Sequence, residues 1–323
     1  MSTDTQSSAA SNPLRKRTKE DFEFGKVIGE GSYSRVIQAK ELSNSKLFAV
    51  KVLSKSFIVK EKKIKYVNVE KECLTKLGRH PNMVKMHYTF QCPRNLYFVL
   101  DYLPNGDLLY YLIKLKTLPP ACIKFYLAEL CSVISYIHSK GIIHRDLKPE
   151  NILLDDKMHL RLTDFGSAKI LTSNNKEEGE DVTKQESTSS FVGSACFVSP
   201  ELLKEKKIDR STDLWAIGCI AYRMMVGELV FKSSNDYQTF QNIINLNFTI
   251  PEELDSDYKL FINQLLIKDS KARLGYNSFE EFKNHSLFSG IDFDTLHKQT
   301  PPSMDCPPPK IGEDDSDSDE FFK

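Results

Sequence analysis

His144-Arg145-Asp146-Leu147-Lys148-Pro149-Glu150-Asn151 stands between two apolar runs, Gly141-Ile142-Ile143 and Ile152-Leu153-Leu154. Thirteen residues past Asn151 comes Asp164-Phe165-Gly166. These charged and amide positions are the strongest chemical signal in the chain, and the segments on either side of them differ in kind. Upstream, residues 22–53 hold the runs FEFGKVIG, SRVIQAKE and KLFAVKVL, whose β-branched and aromatic content, broken by glycine, predicts antiparallel strands. Residues 66–78, YVNVEKECLTKLG, place Val67, Cys73, Leu74 and Leu77 at helical spacing, with Gly78 as a stop. LYFVLDYL (96–103) returns to strand character. From there on helical segments dominate: KFYLAELCSVISYIHSKG, TDLWAIGCIAYRMMVG, DYQTFQNIIN and YKLFINQLLI. Strands first and helices after predict an α+β molecule, a small β-rich lobe with one main helix joined to a larger, mainly helical lobe. No internal repeat is visible.

Composition narrows the class. The 323 residues are 40 % apolar and 27 % charged, with a formal net charge of zero. That balance suits an ordinary globular protein and argues against a nucleic-acid partner. Clean apolar stretches fall short of the roughly 18 residues that span a bilayer, so no transmembrane segment is expected. The opening MSTDTQSSAASNPLRKRTKE has no apolar core of a secretory signal. Seven cysteines, with no CxxC pair and an odd count, argue against a disulfide framework or zinc site. A reducing, cytoplasmic setting is the expectation, with nuclear residence or partner-driven membrane recruitment as alternatives. Cys196 lies in a loop segment, where a packing role is preferred over a redox-sensitive thiol.

Residues 1–20 read as a disordered arm, with Arg15, Lys16, Arg17 and Lys19 as a solvated basic cluster. A folded domain is expected over 21–295, its small lobe reaching about residue 100 and its large lobe running from about 103. Residues 172–190, TSNNKEEGEDVTKQESTSS, read as a long mobile loop. Residues 296–323 pass from Pro-rich to acidic and read as an extended or disordered tail, with Ser316 and Ser318 as candidate phosphorylation sites among acids.

Four features carry the chemistry. Gly29-Glu30-Gly31-Ser32-Tyr33-Ser34 is a glycine-rich turn between two strand-like runs, with Ser34 where a third glycine is usual. Strand-to-strand context disfavours a dinucleotide fold and suits a hairpin lid over phosphates, because a Cβ would hold the backbone off the oxygens. Lys51 lies in the apolar strand Ala49-Val50-Lys51 and needs an anion there. Glu70 shares the inward helix face with Val67, Cys73, Leu74 and Leu77 and needs a cation. Asp164 offers carboxylate oxygens, which suit a hard cation.

Over eight positions, His144–Asn151 resembles the catalytic loop of the eukaryotic protein kinases, and the likeness extends from about residue 22 to 295. Lys148 after Leu147 is similar to the serine/threonine type. FGKVIGEGSYSRV, KYVNVEKE, GIIHRDLKPENILL, TDFGSAK, FVGSACFVSPELL and IDFDTLHKQTPP narrow the resemblance to the 3-phosphoinositide-dependent kinase family of the AGC group. The resemblance implies a bilobal kinase fold using ATP and magnesium, with manganese as an alternative ion. It makes Asp146 the residue that orients the substrate hydroxyl and takes its proton, Lys148 a neighbour of the transferring phosphoryl group, and Asn151 and Asp164 the metal ligands. Lys51 would reach the α- and β-phosphates and pair with Glu70. ATP contacts would also come from Ile28, Gly29, Glu30, Gly31, Ser32, Tyr33, Ser34, Val36, Ala49, Asp107, Glu150 and Leu153. Backbone groups of Asp101 and Leu103 would meet adenine, with Leu100 as gatekeeper. Glu201 and Arg273 would form a buried anchor pair, and Asp213 would support the catalytic loop.

The resemblance further implies Ser190 as an activation-loop phosphosite received by Arg145, with help from Lys169. It implies a docking pocket for the hydrophobic motif of substrate kinases, lined by Lys55, Ile58, Val59, Ile64 and Leu96. Lys71, Thr89 and Gln91, or less well Lys16, would hold an attached phosphate. The expected activity is Ser/Thr phosphorylation of proteins, namely the activation loops of other AGC kinases and Ser190 itself. An AGC-type kinase with unrelated substrates, or a non-catalytic docking fold, are the alternatives. No lipid-binding pleckstrin-homology domain is expected in this chain. No Phe-x-x-Phe-Ser/Thr-Tyr motif appears, which favours a kinase that receives that motif from its substrates.

Overall fold

The computed structural model describes residues 16–31, 34–171 and 194–309. Strands β1 (Phe22–Gly31), β2 (Ser34–Glu41), β3 (Leu47–Ser54), β4 (Met86–Gln91) and β5 (Asn95–Asp101) form one antiparallel sheet in the order β1-β2-β3-β5-β4. On β3, alternate residues face opposite ways, as the pleat requires. Phe48 and Val50 join Phe22, Ala39, Tyr97 and Val99 in a cluster of their own. Ala49 and Leu53 instead join the main core, and Lys51 shares their parity. Helix α1 (Lys55–Lys60) follows β3 directly, and α2 (Ile64–Leu77) buries Val67, Glu70, Cys73, Leu74 and Leu77. It stops at Gly78, whose φ of 65° costs a side chain strain that glycine avoids.

The larger lobe is built on α4 (Pro120–Ser139) and α6 (Ser211–Val226), almost wholly buried, with α3 (Leu108–Leu115), α5 (Pro200–Glu205), α7 (Asp236–Asn245), α8 (Ser256–Leu265) and α9 (Glu280–Lys283) around them. Two short ribbons lie between the lobes' cores: β7 (Ile152–Leu154) pairs with β8 (Leu160–Leu162), and β6 (Ile142–Ile143) with β9 (Lys169–Ile170). They flank the catalytic-loop stretch and Asp164-Phe165-Gly166, so the charged residues sit on turns between paired strands. By length and composition alone α4 could cross a membrane (20 residues, mean hydropathy 1.3), which the sequence reading did not anticipate. Two thirds of it is buried inside the lobe, and its fully buried Glu129 bonds His159 Nδ1 at 2.7 Å and accepts from the Leu160 N–H at 2.9 Å. That hydrogen bond holds the His159 imidazolium, raising its pKa.

At both ends the described residues depart from the expected solvated segments. Arg17 is no solvated arm residue. It pairs with the buried Glu41 at 2.8 Å and lies 5.5 Å from the Tyr88 ring centre, because a desolvated carboxylate at the end of β2 requires a cation. Beyond residue 295, Leu296 and Met304 are buried, and Cys122 Sγ donates to the carbonyls of Pro302 and Ser303. Pro309 packs so closely on Gly106 that a Cβ there would lie 2.5 Å from Pro309 Cγ. The first half of the expected tail thus lies on the large lobe; residues 1–15 and 310–323, with Ser316 and Ser318, fall outside the described residues. Cys196 is buried and its thiol is pushed up to about 11 by that burial, as a packing residue requires.

Candidate active site

From the small lobe comes one lysine. Lys51 Nζ lies 2.6 Å from Glu70 Oε1 on α2 and 3.5 Å from Asp164 Oδ1 of the large lobe. Lys51 and Glu70 are both buried, and the second oxygen of Glu70 has no hydrogen-bond partner among the described residues. Burial pushes the Glu70 carboxyl above its usual range, against the pull of Lys51. The Lys51 ammonium holds Asp164 below its usual range, although burial opposes this. One cation therefore serves two acids, and the half-exposed Asp164 keeps oxygen capacity to spare.

The large lobe supplies the rest on a braced loop. Asp213, buried on α6, accepts the backbone N–H of His144 and of Arg145, each at 2.9 Å, and bonds His138 Nε2 at 2.8 Å. Burial opposes its charge, but the His138 bond and the nearby histidines outweigh burial and lower its pKa. Arg145 takes φ 72°, and Asp164 takes φ 60°, left-handed conformations that only a well-supported backbone keeps. His144 Nε2 donates to the Thr163 carbonyl at 2.9 Å, and its ring meets the buried Phe165 edge-on at 5.1 Å. The turn holding Phe165 packs against α2, so Glu70 and Asp164 are positioned by the same contact. On the loop itself, Asn151 Nδ2 donates to the Asp146 carbonyl at 2.7 Å and to Asp146 Oδ2 at 3.1 Å, and Lys148 Nζ lies 3.1 Å from that oxygen.

This arrangement tests the expected metal. Asn151 spends its amide nitrogen on Asp146, which leaves its amide oxygen available to a cation, and its backbone carbonyl accepts the N–H of Thr163, the residue before Asp164, at 3.0 Å. No group of three or more His, Cys, Asp or Glu residues able to hold a metal occurs among the described residues. One carboxylate and one amide oxygen suit a small hard ion that keeps waters and takes the rest of its ligands from phosphates. Asn151 and Asp164 thus fit magnesium delivered with a nucleotide.

The residues expected to wall a nucleotide lie on five strands. Ile28, Val36 and Ala49 lie on β1, β2 and β3, and Ala49 pairs across the sheet with Leu100 of β5. Leu153 on β7 bridges to Asp107, which also caps α3 by accepting the Tyr110 N–H at 2.9 Å. Burial raises the Asp107 carboxyl to about 6. Asp101 turns its own side chain away to His87, at 2.7 Å, and the Lys85 N–H, at 3.0 Å, so any adenine contact there falls to its backbone. In the glycine-rich hairpin, Gly29 faces Val36, Gly31 faces Ser34, and Glu30 pairs with Arg35 at 3.1 Å. A Cβ on Gly29 would meet nothing nearer than 3.6 Å, so protein packing does not demand glycine there. Ser32 and Tyr33, at the tip, lie outside the described residues.

The protein kinase domain family matches residues 22–288, which span every residue just described as meeting between the lobes. The chain belongs to the protein kinase family. The 3-phosphoinositide-dependent protein kinase 1 of Rattus norvegicus is 45 % identical over 306 residues, 94 % of this chain and 53 % of that protein. The putative 3-phosphoinositide-dependent protein kinase 2 of Homo sapiens is 44 % identical over 94 % of this chain and 75 % of its own length. The serine/threonine-protein kinase ksg1 of Schizosaccharomyces pombe is 47 % identical over 94 % of this chain and 52 % of its own length. The chain thus spans about half the length of the first and third of these relatives and three quarters of the second.

The expected pair of Glu201 and Arg273 is present. Arg273, fully buried, forks onto both oxygens of Glu201 at 2.7 and 2.8 Å, bonds the Ser211 carbonyl at 2.9 Å and lies 4.9 Å from the Trp215 ring centre. Ser190 lies outside the described residues. Among the residues expected to form a docking pocket, Lys55 Nζ bonds Gln91 Oε1 at 2.8 Å, and Gln91 pairs with Leu96 across the sheet. Val59 and Ile64 are exposed, as are Lys16, Lys71 and Thr89, whereas Ile58 is 4 % exposed and belongs to the core beneath rather than to an open lining. Phe57, 37 % exposed beside them, had no signal in the sequence reading. His138 and Ser211, which complete the Asp213 and Glu201 clusters, were also unseen, being joined to them only by the fold.

Proposed function

We propose that this kinase-family chain transfers the γ-phosphoryl group of magnesium-ATP to serine and threonine hydroxyls of proteins, its substrates being activation loops of other AGC-type kinases. The observation that carries this is Lys51 set between Glu70 and Asp164, opposite Asp146, Lys148 and Asn151. Loose phosphoryl transfer asks for positioning and charge neutralisation, which two lysines, three acids and an amide supply. When bound, magnesium would neutralise phosphate oxygens from its place on Asn151 and Asp164. Asp146 orients the acceptor hydroxyl and takes its proton, while Lys148 offsets negative charge beside it. Lys51 fixes the α- and β-phosphates, and Glu70 fixes Lys51. The choice of substrate class follows the likeness to the 3-phosphoinositide-dependent protein kinases and the exposed Val59, Ile64, Lys71 and Thr89 face, which would receive a hydrophobic motif carried by the substrate. Ser190 would be phosphorylated by the chain itself, in a cytoplasmic setting.

Purified protein, incubated with magnesium-ATP and an AGC-type kinase whose loop is unphosphorylated, should place phosphate on that loop and on Ser190, read by mass spectrometry. Absence of both marks with a folded protein would overturn the kinase reading. Transfer to Ser190 or a generic peptide, without transfer to the partner's loop, would overturn only the substrate class. A hydrophobic-motif peptide should change the rate if the docking face is used and leave it unchanged otherwise.

A further inference from the structure

A second cation and acid meet on the outer face of the small lobe, away from the cleft. Glu41 ends β2 and is fully buried. Arg17 Nη2 lies 2.8 Å from its Oε1, and Asn44 Nδ2 donates to its Oε2 at 2.7 Å. Among the described residues, Arg17 is the one cation within ion-pair distance of Glu41. Arg17 also covers Tyr88, which packs with Phe22, Ala39 and Phe48 on the side of the sheet opposite Lys51. Thr18 follows, exposed and extended (φ −131°, ψ 175°). Its N–H donates to Asp21 Oδ2 at 2.7 Å, and its hydroxyl donates to the same oxygen at 3.4 Å. The Asp21 carbonyl in turn accepts the N–H of Leu42, the residue after Glu41, at 2.9 Å. The turn from Thr18 to Asp21 is thus pinned to the strand end that Arg17 closes.

The Thr18 hydroxyl lies among acids. Besides its bond to Asp21, it acts on the Glu20 carboxyl, which is lowered first by that residue's own backbone N–H and then by Thr18. In the chain it is flanked by cations, with Arg15, Lys16 and Arg17 before it and Lys19 after it. A phosphate on this oxygen would carry a charge of about −1.5 to −2. In the place the hydroxyl now holds, that charge would face Asp21 and Glu20. Neighbouring side chains on an extended backbone point to opposite sides, so Arg17 cannot reach the phosphate while the turn stands. Opening the turn relieves the repulsion and frees Arg17, whose planar fork binds phosphate bidentately. Glu41 is then a buried carboxylate without its cation. Phosphate on Thr18 and Arg17 on Glu41 therefore exclude each other.

We propose that Thr18 is a phosphorylation site, modified by a protein kinase whose acidic substrate groove reads the basic residues around it. In that reaction the Thr18 oxygen bonds the γ-phosphorus of ATP as the bond from that phosphorus to the β–γ bridging oxygen breaks. ADP leaves, and the hydroxyl proton passes to the modifying enzyme's base. The phosphate then draws Arg17 off Glu41 and loosens the end of β2. The proposal is independent of this chain's own activity.

The test uses the full chain as Asp146→Asn, so that phosphate on Thr18 comes from the added enzyme. The probe is the catalytic subunit of cyclic-AMP-dependent protein kinase, which takes basic substrates, with magnesium-ATP. Mass spectrometry should find phosphate on Thr18, and adding Arg15→Gln with Lys16→Gln should slow its transfer about tenfold or more, the worth of a charge-assisted hydrogen bond. Amide hydrogens of residues 39–42 should then exchange about tenfold faster than in the unmodified protein. Arg17→Gln should show the same rise without phosphate, and its phosphorylation should add less than about twofold. If Arg17→Gln does not fold, the modified and unmodified parent decide alone. Thr18 left bare, while a basic control peptide is phosphorylated, overturns the site. Phosphate on Thr18 with exchange at 39–42 unchanged overturns the release of Arg17, and so does a full further rise in phosphorylated Arg17→Gln.

Discussion

Glu70 and Glu201 are both buried, both held by one cationic side chain, and pushed in opposite directions. Glu201 faces a guanidinium that meets both its oxygens, with the Ser211 hydroxyl at 3.0 Å as a further donor; burial opposes its charge, but the Arg273 bonds outweigh burial and hold it below the usual range. Glu70 has one short contact, one orphan oxygen and a rival in Asp164, and burial raises it. A saturated pair holds architecture together. An unsaturated one leaves its lysine available for an arriving anion. The contrast separates a structural acid–base couple from a functional one by satisfaction rather than by burial.

The largest stability effect should come from the saturated pair. Arg273→Leu strands an ionised Glu201 in the core, so denaturant unfolding should lose about 3–5 kcal/mol. A loss near zero would remove the distinction altogether. Lys51→Met should behave in the opposite way. Glu70 can take up a proton, so stability should change by no more than about 1 kcal/mol, while phosphoryl transfer falls about 10²–10³-fold, as removal of a charge-stabilising donor predicts. Equal damage to folding by both substitutions would refute the contrast.

Glu70→Gln sharpens it, since the amide still accepts from Lys51 without a buried charge. The melting temperature should hold or rise, with a rate loss of about tenfold, that of one charge-assisted bond. A clear drop in melting temperature would show that the charge of Glu70 supports the fold. The smallest effect concerns Asp107. Its folded value of about 6 lies above the unfolded value near 4, so protonation favours the fold. That contribution is present below about pH 4 and is lost as pH rises through about 6. Asp107→Asn keeps the α3 cap and should flatten this part of the melting-temperature profile. Glu201, depressed in the fold, works the other way: its contribution is present above its unfolded value and is lost as pH falls through its lower folded value.

What could be read in the sequence follows the range of the interactions. The lobe order and the inward face of α2 rest on local periodicity, and the structure has them where the patterns lie; the two short ribbons around the catalytic-loop stretch, only two or three residues per strand, had no such pattern to announce them. Lys51, Glu70 and Asp164 form one contact set and Asp146 and Asn151 another, because each is a polar residue whose cost in an apolar setting announces a partner. Arg17 and residues 296–309 were misjudged for one reason: their polar or Pro-rich composition says nothing of a buried Glu41, or of a groove holding Met304.

The account turns on a small-lobe lysine and large-lobe acids acting together on one nucleotide. The most direct measurement is rapid-quench single-turnover transfer from magnesium-ATP to a serine peptide by Asp146→Asn, beside nucleotide affinity for the same protein. Affinity should stay within about twofold, since Asp146 touches none of the phosphate-binding groups except through Asn151 and Lys148, and transfer should slow about 10²–10⁴-fold. Transfer at nearly the parental rate with affinity intact would contradict it.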